Sequence, residues 1–385
     1  FGQTIMIIRQ QQLHSPHFSD SELDTLTGIS PQLVLVFAAT EFMRSPEFVL
    51  RLQQLFPDAA LVGCSTAGEI HGASVSDHSA SITALHFQHP DFRVASTSLN
   101  SMEDSGPAGE RLAGQLKGEG LHDIIVFGQG VNINGSALIQ GIRAVFDGAV
   151  SISGGLAGDG GAFQKTWVLS PEGASEQRMV GIGFYGPHLQ LHHGSFGGWQ
   201  PFGPARKVTR CKGNVLFELD GEPALKVYKD YLGEYAKDLP ASGLLFPFEM
   251  LGDDHNAVGL VRTILGMDEA NGSLILAGDV IENGYLKLMH ASTDALVDGA
   301  QAAAEAAHRM LNGAADGLTL LISCVGRKLV MGGRVDEEIE AVADVFGSAS
   351  YLTGFYSYGE ISPFTHATDC RLHNQTMTIT YVCEE

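Results

Sequence analysis

Phe56-Pro-Asp-Ala-Ala-Leu-Val-Gly-Cys-Ser-Thr-Ala-Gly-Glu69 decides the fold, because the chain uses the same pattern three times. The second copy is Phe146-Asp-Gly-Ala-Val-Ser-Ile-Ser-Gly-Gly-Leu-Ala-Gly-Asp159. The third is Phe346-Gly-Ser-Ala-Ser-Tyr-Leu-Thr-Gly-Phe-Tyr-Ser-Tyr-Gly-Glu360. In each, a helix ending in Phe leads to a strand and then to a Gly-rich turn closed by Gly-acid. A unit reused at such constant spacing places its turns at equivalent points of a pseudo-symmetric body, where they can jointly line a ligand site. No familiar catalytic string is present.

Outward from the first copy, residues 33–37 (LVLVF) form a continuous apolar run, as expected of a strand buried on both faces. Ser45, Pro46 and Glu47 mark a helix start, and Phe48, Leu52, Leu55 and Phe56 then share one face. Residues 59–62 return as a strand. The second copy repeats this with a strand at 124–127, a helix at 137–146 and a strand at 149–153. The third has a strand at 318–322, a helix at 336–346 and a strand at 350–353. The alternating segments 80–87, 179–185 and 375–382 predict antiparallel strands beside the β-α-β elements. The expected class is therefore α/β: mixed sheets with helices on the outer faces, in pseudo-repeated β-α-β-β units. Two further helices are predicted, one from Pro223 through Tyr235 to a stop at Pro240, the other over 294–311 with Gly313 as its stop. The Pro- and Gly-rich stretch 194–204 separates the second β block from the C-terminal half of the chain. The expected domains are 1–220, with repeats one and two, and 221–385, with repeat three.

At 385 residues and 44% apolar content the chain has enough material for two cores. Its 44 acidic against 23 basic residues give a charge of −21, which repels nucleic acid and anionic lipid, and no Lys/Arg run offsets it. The longest apolar runs are strand-sized, too short to cross a bilayer. No signal-peptide pattern is read at the N-terminus, since Ile5 to Ile8 is a short apolar run with no cation before it. Five scattered cysteines without a C-x-x-C pair suit a reducing cytoplasm and argue against structural zinc or a disulfide framework. The expected location is cytoplasmic.

The glycines of the three turns, Gly68, Gly158 and Gly359, permit tight turns or close backbone approach to a ligand. Glu69, Asp159 and Glu360 can cap nearby helix ends or pair with Arg262. Phe355 is expected in the core and Tyr356, with Tyr358, in a pocket wall. Cys64, beside Ser65 and Thr66, has no base near it in sequence, and Gly63 to Gly68 is not a G-x-S-x-G elbow. Residues 206–212 are the one mildly cationic stretch, either a solvated strand edge or an anchor for acidic ligand groups.

These segments resemble the FIST family, with N-terminal and C-terminal FIST domains in tandem. The likeness rests on Gly63-Cys-Ser-Thr-Ala-Gly-Glu-Ile70, Ser153-Gly-Gly-Leu-Ala-Gly-Asp159, residues 208–214 with 218–225, Val261-Arg262, Gly354-Phe-Tyr-Ser-Tyr-Gly-Glu-Ile361 and Leu372-His-Asn-Gln-Thr-Met377. The resemblance implies a bacterial sensory module for a small ligand. It is similar to a stand-alone branch that binds haem, responds to nitric oxide and acts on a histidine kinase or a cyclic-di-GMP enzyme, and a homodimer is compatible with it. The ligand contacts expected on this basis are Ser65, Thr66, Gly68, Glu69, Asp159, Arg262, Tyr356, Tyr358, Glu360 and Asn374. Haem needs an axial ligand in an apolar slot. His373 is the candidate, alternating with Gln375, Met377, Ile379 and Tyr381 on a mostly apolar face, with His290, His192 and His193 as lesser candidates. Two other readings stand beside it: a sensor of another metabolite, such as an amino acid, without haem, and an enzyme using Cys64 or the three acids.

Overall fold

The computed structural model describes residues 6–311, 316–347, 350–363 and 370–385. Repeat one comprises β1 (Met6–Leu13), α1 (Asp24–Thr27), β2 (Leu33–Ala38), α2 (Thr40–Met43), α3 (Pro46–Leu55), β3 (Ala60–Ser65), β4 (Glu69–His71), β5 (Ser74–Ser76) and β6 (Ala80–Phe87). Repeat two comprises β7 (Phe92–Ser98), α4 (Ser105–Leu116), β8 (Leu121–Gly128), α5 (Gly135–Ala144), β9 (Ser151–Leu156), β10 (Val168–Ser170), β11 (Gly173–Ser175) and β12 (Arg178–Tyr185). Repeat three opens with β13 (Leu189–Phe196) and is then interrupted. The insertion contains β14 (Gln200–Lys212), β15 (Val215–Leu219), β16 (Glu222–Pro223), α6 (Ala224–Leu232), β17 (Phe248–Leu251), β18 (Ala257–Arg262), β19 (Ile264–Asp268), β20 (Ser273–Leu276) and β21 (Tyr285–His290). Repeat three resumes with α7 (Thr293–His308), β22 (Leu318–Cys324), α8 (Val325–Met331), α9 (Asp336–Phe346), β23 (Tyr351–Ser357), β24 (Gly359–Pro363), β25 (Cys370–His373) and β26 (Met377–Glu384).

The three repeats build three six-stranded sheets of identical plan: β1-β6-β2-β3-β10-β11, β7-β12-β8-β9-β24-β25 and β13-β26-β22-β23-β4-β5. In each, the two strands of the repeated unit pair in parallel, and the long strand that closes the repeat pairs antiparallel beside them. The mixed sheets are as the alternation predicts. What the sequence does not display is the exchange at the other edge. The strand after each Gly-acid turn leaves its own repeat: β4 pairs with β23, β10 with β3 and β24 with β9. Repeat one thus completes sheet three, repeat two sheet one, and repeat three sheet two, a closed cycle.

One register point recurs in all three. Gly63 lies opposite Val36, Gly154 opposite Val126 and Gly354 opposite Leu321. A Cβ on these glycines would sit 1.8, 1.9 and 1.7 Å from the facing carbonyl oxygen, so glycine is required at each by close backbone approach. One residue further on, the inner faces of the sheets meet. Phe37, Phe127 and Phe355 converge there, with ring centroids 5.4, 4.9 and 6.0 Å apart. Their register partners are the smaller Cys64, Gly155 and Ile322, so in repeat three the bulky ring has moved to the other strand while the volume at the axis is kept.

The outer faces carry the helices, as expected. Phe42, Phe48 and Leu52 of α2 and α3 pack on the first sheet. Leu112, Leu138 and Ile142 of α4 and α5 pack on the second, and Ala300, Ala303 and Ile339 of α7 and α9 on the third. Ser45 accepts from the Phe48 amide at 3.3 Å, the cap read from sequence. Four helix limits differ from expectation, among them the end of the second-repeat helix, which stops at Ala144 and not at Phe146. The helix expected over 137–146 begins earlier, at Gly135, because Asn134 caps it by accepting from the Ala137 amide at 3.1 Å. The helix expected through Tyr235 ends as an α-helix at Leu232, where Gly233 takes φ 55° and 3₁₀ turns succeed it. The helix expected to reach 311 ends at His308, and Gly313 lies outside the described residues.

The stretch 194–204 is not a separator. It ends β13 and begins β14, where Pro201 lies in register opposite Met289 and Pro204 falls where the pairing with β21 shifts between Phe202 and Arg206. The insertion forms its own sheet, β18-β17-β21-β14-β15-β20-β19 with β16 on β15, packed on α6 around Tyr228, Leu216 and Leu274. Residue 220 falls in the turn between β15 and β16, inside this sheet. Among the described residues no helix is long and apolar enough to cross a membrane.

Candidate functional site

The three Gly-acid turns do come together, and they bind one another. Ser65 Oγ donates to the Gly158 carbonyl at 2.7 Å and accepts from the Trp167 amide at 2.8 Å. Gly160 N donates to Thr66 O at 3.1 Å, Ala67 N to Tyr356 O at 2.9 Å, and Tyr356 N to Gly68 O at 2.9 Å. The Tyr358 phenol donates to Asp159 Oδ1 and accepts from the Gly161 amide at 2.9 Å. Polar groups expected to face a ligand are spent on holding the pseudo-threefold junction closed.

Glu69 and Glu360 are structural counterparts. Thr66 Oγ1 donates to Glu69 Oε2 at 2.5 Å, while the Ser79 amide and hydroxyl donate to Oε1 at 2.7 and 3.0 Å. Ser357 Oγ donates to Glu360 Oε2 at 3.2 Å, while the Thr376 amide and hydroxyl donate to Oε1 at 2.8 and 2.9 Å. Each carboxyl ties its turn to the residue before the long antiparallel strand. Burial pushes Glu69 up to about 7 and Glu360 up to about 8, against these hydrogen bonds. Asp159 differs: its carboxylate accepts from the amides of Phe163, Gln164 and Lys165 at 2.8, 2.8 and 2.9 Å and caps a loop. None of the three acids pairs with Arg262, one of the two roles expected of them. Arg262 sits on the insertion and bonds to carbonyl oxygens there and on β25.

Tyr356 is buried core and not a pocket wall. Its hydroxyl donates to Glu338 Oε2 at 2.7 Å, and Glu338 pairs with Arg327. The Arg327–Glu338 pair was invisible in sequence, because its eleven-residue separation spans two helices whose relative orientation no periodicity reveals. Cys64 is fully buried, and desolvation holds its thiol well above the usual range, which speaks against the cysteine form of the enzyme reading. In the cationic stretch, Arg206 pairs with Asp220 at 3.2 Å and Arg210 with Glu218 at 3.2 Å, so its arginines are ion-paired on a strand that lies between β21 and β15 and not at an edge.

His373 lies outside the strand in which it was expected. It ends β25 in the second sheet, and a turn with Gln375 at φ 62° separates it from β26 in the third. The alternation with Met377 and Ile379 is therefore broken. The ring is 4% exposed, Nε2 lies 3.3 Å from the Ser362 carbonyl, and burial lowers its pKa to about 4. A neutral imidazole has the right protonation for iron, but Nε2 of this one lies against the Ser362 carbonyl of β24, the strand paired with β25. His193 is held by Asp123 at 2.9 Å and Thr380 at 3.1 Å. Among the described residues no group of three or more His, Cys, Asp or Glu is placed to hold a metal ion.

Arg262 is the expected residue that does face open space. A cavity of about 360 Å³ lies between α5, the insertion and β25, lined by Ser136, Arg143, Met250, Leu260, Arg262 and Arg371 among others. Arg262, at the end of β18, is 4% exposed. Its Nε donates to Asp279 O at 2.9 Å and its Nη1 to Leu372 O at 3.0 Å and Val261 O at 3.2 Å. All three partners are carbonyls, and among the described residues Arg262 makes no ion pair. Burial accordingly lowers its pKa to about 10. Asp279, the acid that acts on it among the described residues, accepts from Asn134 Nδ2 at 2.8 Å through its carboxylate. Asn374 holds the residue after the arginine: its Oδ1 accepts from the Thr263 amide at 3.1 Å. Sequence reading found Arg262 and Asn374 but missed Arg143 and Arg371, which reach the cavity from separate elements.

A cyclic three-repeat scaffold whose turns are closed on themselves, with a buried cation beside a cavity at the insertion, defines a ligand-binding protein. The chain belongs to the FIST family: the FIST N domain matches residues 32–222 and the FIST C domain residues 224–363. The two matches meet at β16, just before α6. FIST domains are associated with sensing and signalling. The chain is 22% identical to an uncharacterized protein of Methanocaldococcus jannaschii, over 88% of this chain and 67% of that one. Among solved structures, cyanuric acid hydrolase from A. caulinodans aligns over 99% of both chains at 9% identity and a TM-score of 0.38. PurLQS from Thermotoga maritima aligns over 99% of this chain and 72% of that one, at 8% identity and a TM-score of 0.19. Neither structural likeness bears on function.

Proposed function

We propose that the chain is the ligand-binding part of a cytoplasmic signalling system and that its ligand is a small organic anion, a carboxylic or amino acid, bound at Arg262. The observation that carries this is a buried guanidinium on the wall of a cavity, without a carboxylate partner among the described residues. A charge withdrawn from water and left unneutralised is costly, and a ligand carboxylate offers charge-assisted hydrogen bonds that offset it. The volume, about 360 Å³, is at the lower end of small-molecule sites, roughly 300–1,000 Å³, and suits a metabolite better than a flat macrocycle.

The cavity walls come from the insertion, repeat two and repeat three. A ligand that bridges them favours whichever arrangement brings them together, the differential affinity that a sensor needs. The partner that reads this change is a histidine kinase or a cyclic-di-GMP enzyme, as the family resemblance implies. Haem as ligand and nitric oxide as signal rest on the resemblance alone, and the enclosed His373 ring speaks against them.

A thermal-shift screen of the purified protein against amino acids, dicarboxylates and haem tests the proposal. Stabilisation by a carboxylate, saturating with concentration, is the expected result. A stoichiometric haem complex with no response to any carboxylate would overturn it.

A further inference from the structure

A second cavity, of about 420 Å³, lies beyond the carboxyl end of β8, bounded by residues 100–103, the turn after β8 and residues 164–166 and 176–177. The carboxyl ends of parallel strands are where open α/β sheets take their ligands. Gln129, the residue after β8, lines this cavity and is 3% exposed. Its Nε2 donates to the Val131 carbonyl at 3.2 Å and the Asn132 carbonyl at 3.5 Å. Two carbonyl partners fix which end of the amide is nitrogen. The other end, Oε1, is buried and receives no hydrogen bond from the described residues. A buried acceptor left in that state costs about 1–3 kcal/mol.

The charges around it are of the opposite sign to those at Arg262. Lys165 is paired with Glu176 at 3.1 Å, and the Glu103 carboxylate on the same wall forms no ion pair among the described residues. Hydrogen bonds from its own backbone and from Ser101, with a weaker pull from Lys212, hold Glu103 below the usual carboxylate range, so it is charged at neutral pH. A lining residue with an unmet buried acceptor and an exposed carboxylate beside it call for a ligand with N–H donors and no negative charge.

We propose that this cavity is a second ligand site, for a small molecule carrying an ammonium or primary amide group whose N–H donates to Gln129 Oε1. It is independent of the arginine cavity in residues and in ligand charge. The two are joined by one short segment: residues 129–134 lead from Gln129 into α5, whose Ser136 and Arg143 line the other cavity.

Calorimetric titration with putrescine and with propionamide, and with succinate as the anionic control, tests the site. The expected result is saturable binding of at least one of the two donors, with a dissociation constant below about 1 mM. Gln129→Met weakens it by about tenfold or more, and Glu103→Gln, at an exposed position, weakens putrescine alone. Arg262→Gln leaves donor binding unchanged, so failure here is distinguishable from failure of the arginine site. No saturable binding of either donor, the outcome of a cavity holding only water, overturns the proposal. So does equal binding by wild type and both cavity variants.

Discussion

Arg327 on α8 and Glu338 on α9 form an ion pair with neither side chain exposed, Nε to Oε1 at 2.7 Å. The remaining guanidinium donors reach main-chain carbonyls, including Leu296 O at 2.7 Å, and the carboxylate also takes Ser323 Oγ at 3.2 Å and the Tyr356 phenol at 2.7 Å. The pair therefore ties the helices of repeat three to the strand whose turn enters the junction. Such a pair stands only with every group satisfied. Arg327→Ala leaves Glu338 buried and uncompensated and is expected to destabilise by about 3–5 kcal/mol. Tyr356→Phe removes one hydrogen bond to a charged group and costs about 1.5–3 kcal/mol. Urea denaturation followed by circular dichroism checks both values and their order.

The junction also predicts a pH dependence. Folded Glu69 and Glu360 hold their protons up to about pH 7 and 8, whereas in the unfolded chain they lose them near the ordinary carboxylate value of 4.5. Between these limits the folded state binds more protons, so stability is full below about pH 4.5 and falls as pH rises toward 8. The slope contributed by each group is at most about 1.4 kcal/mol per pH unit. Glu360→Gln keeps the acceptor for Thr376 and should flatten the decline. Melting temperatures from about pH 5 to 8 for wild type and variant measure this; an unchanged slope in the variant would rule out Glu360 as a source of the decline.

Packing at the axis gives a third test. Phe127→Ala is expected to cost about 3–5 kcal/mol, because Phe37 and Phe355 lie against it from two other sheets. Gly154→Ala places a methyl 1.9 Å from the Val126 carbonyl and is expected to prevent soluble expression, whereas Gly114→Ala on α4, with open space around it, should be neutral or slightly stabilising. Expression and melting of the three variants decide it; a well-folded Gly154→Ala protein would contradict the close approach.

Much of the fold was legible because each repeat carries local signals. Ser45 and Pro46 announce α3, and the alternation at 80–87 is β6 to the residue. The exchange of β4, β10 and β24 was not legible, since three- to five-residue strands carry no pattern that names a partner in another repeat. The same limit explains His373. Its alternation with Met377 ran through a turn at Gln375 that no Gly or Pro marks, so two strands in different sheets read as one. The site residues divide along that line. Ser65, Thr66, Glu69, Asp159, Tyr358 and Glu360 lie where the repeats place them, in the three turns, but only the assembled sheets show that the turns bond to one another. Arg262 was found through its motif; the cavity it faces is made by α5 and β25, each roughly a hundred residues or more away along the chain.

The most direct test of the central claim is calorimetric titration of the small carboxylate that gives the strongest stabilisation, on wild type, Arg262→Lys and Arg262→Gln. With Arg262 as the anchor, stoichiometric binding in wild type weakens in the Lys variant, which keeps charge without the planar fork. It falls by about a hundredfold in the Gln variant, the loss of roughly 3 kcal/mol expected for a buried charge-assisted contact. Equal affinity in all three proteins, each folded by circular dichroism, would contradict the claim.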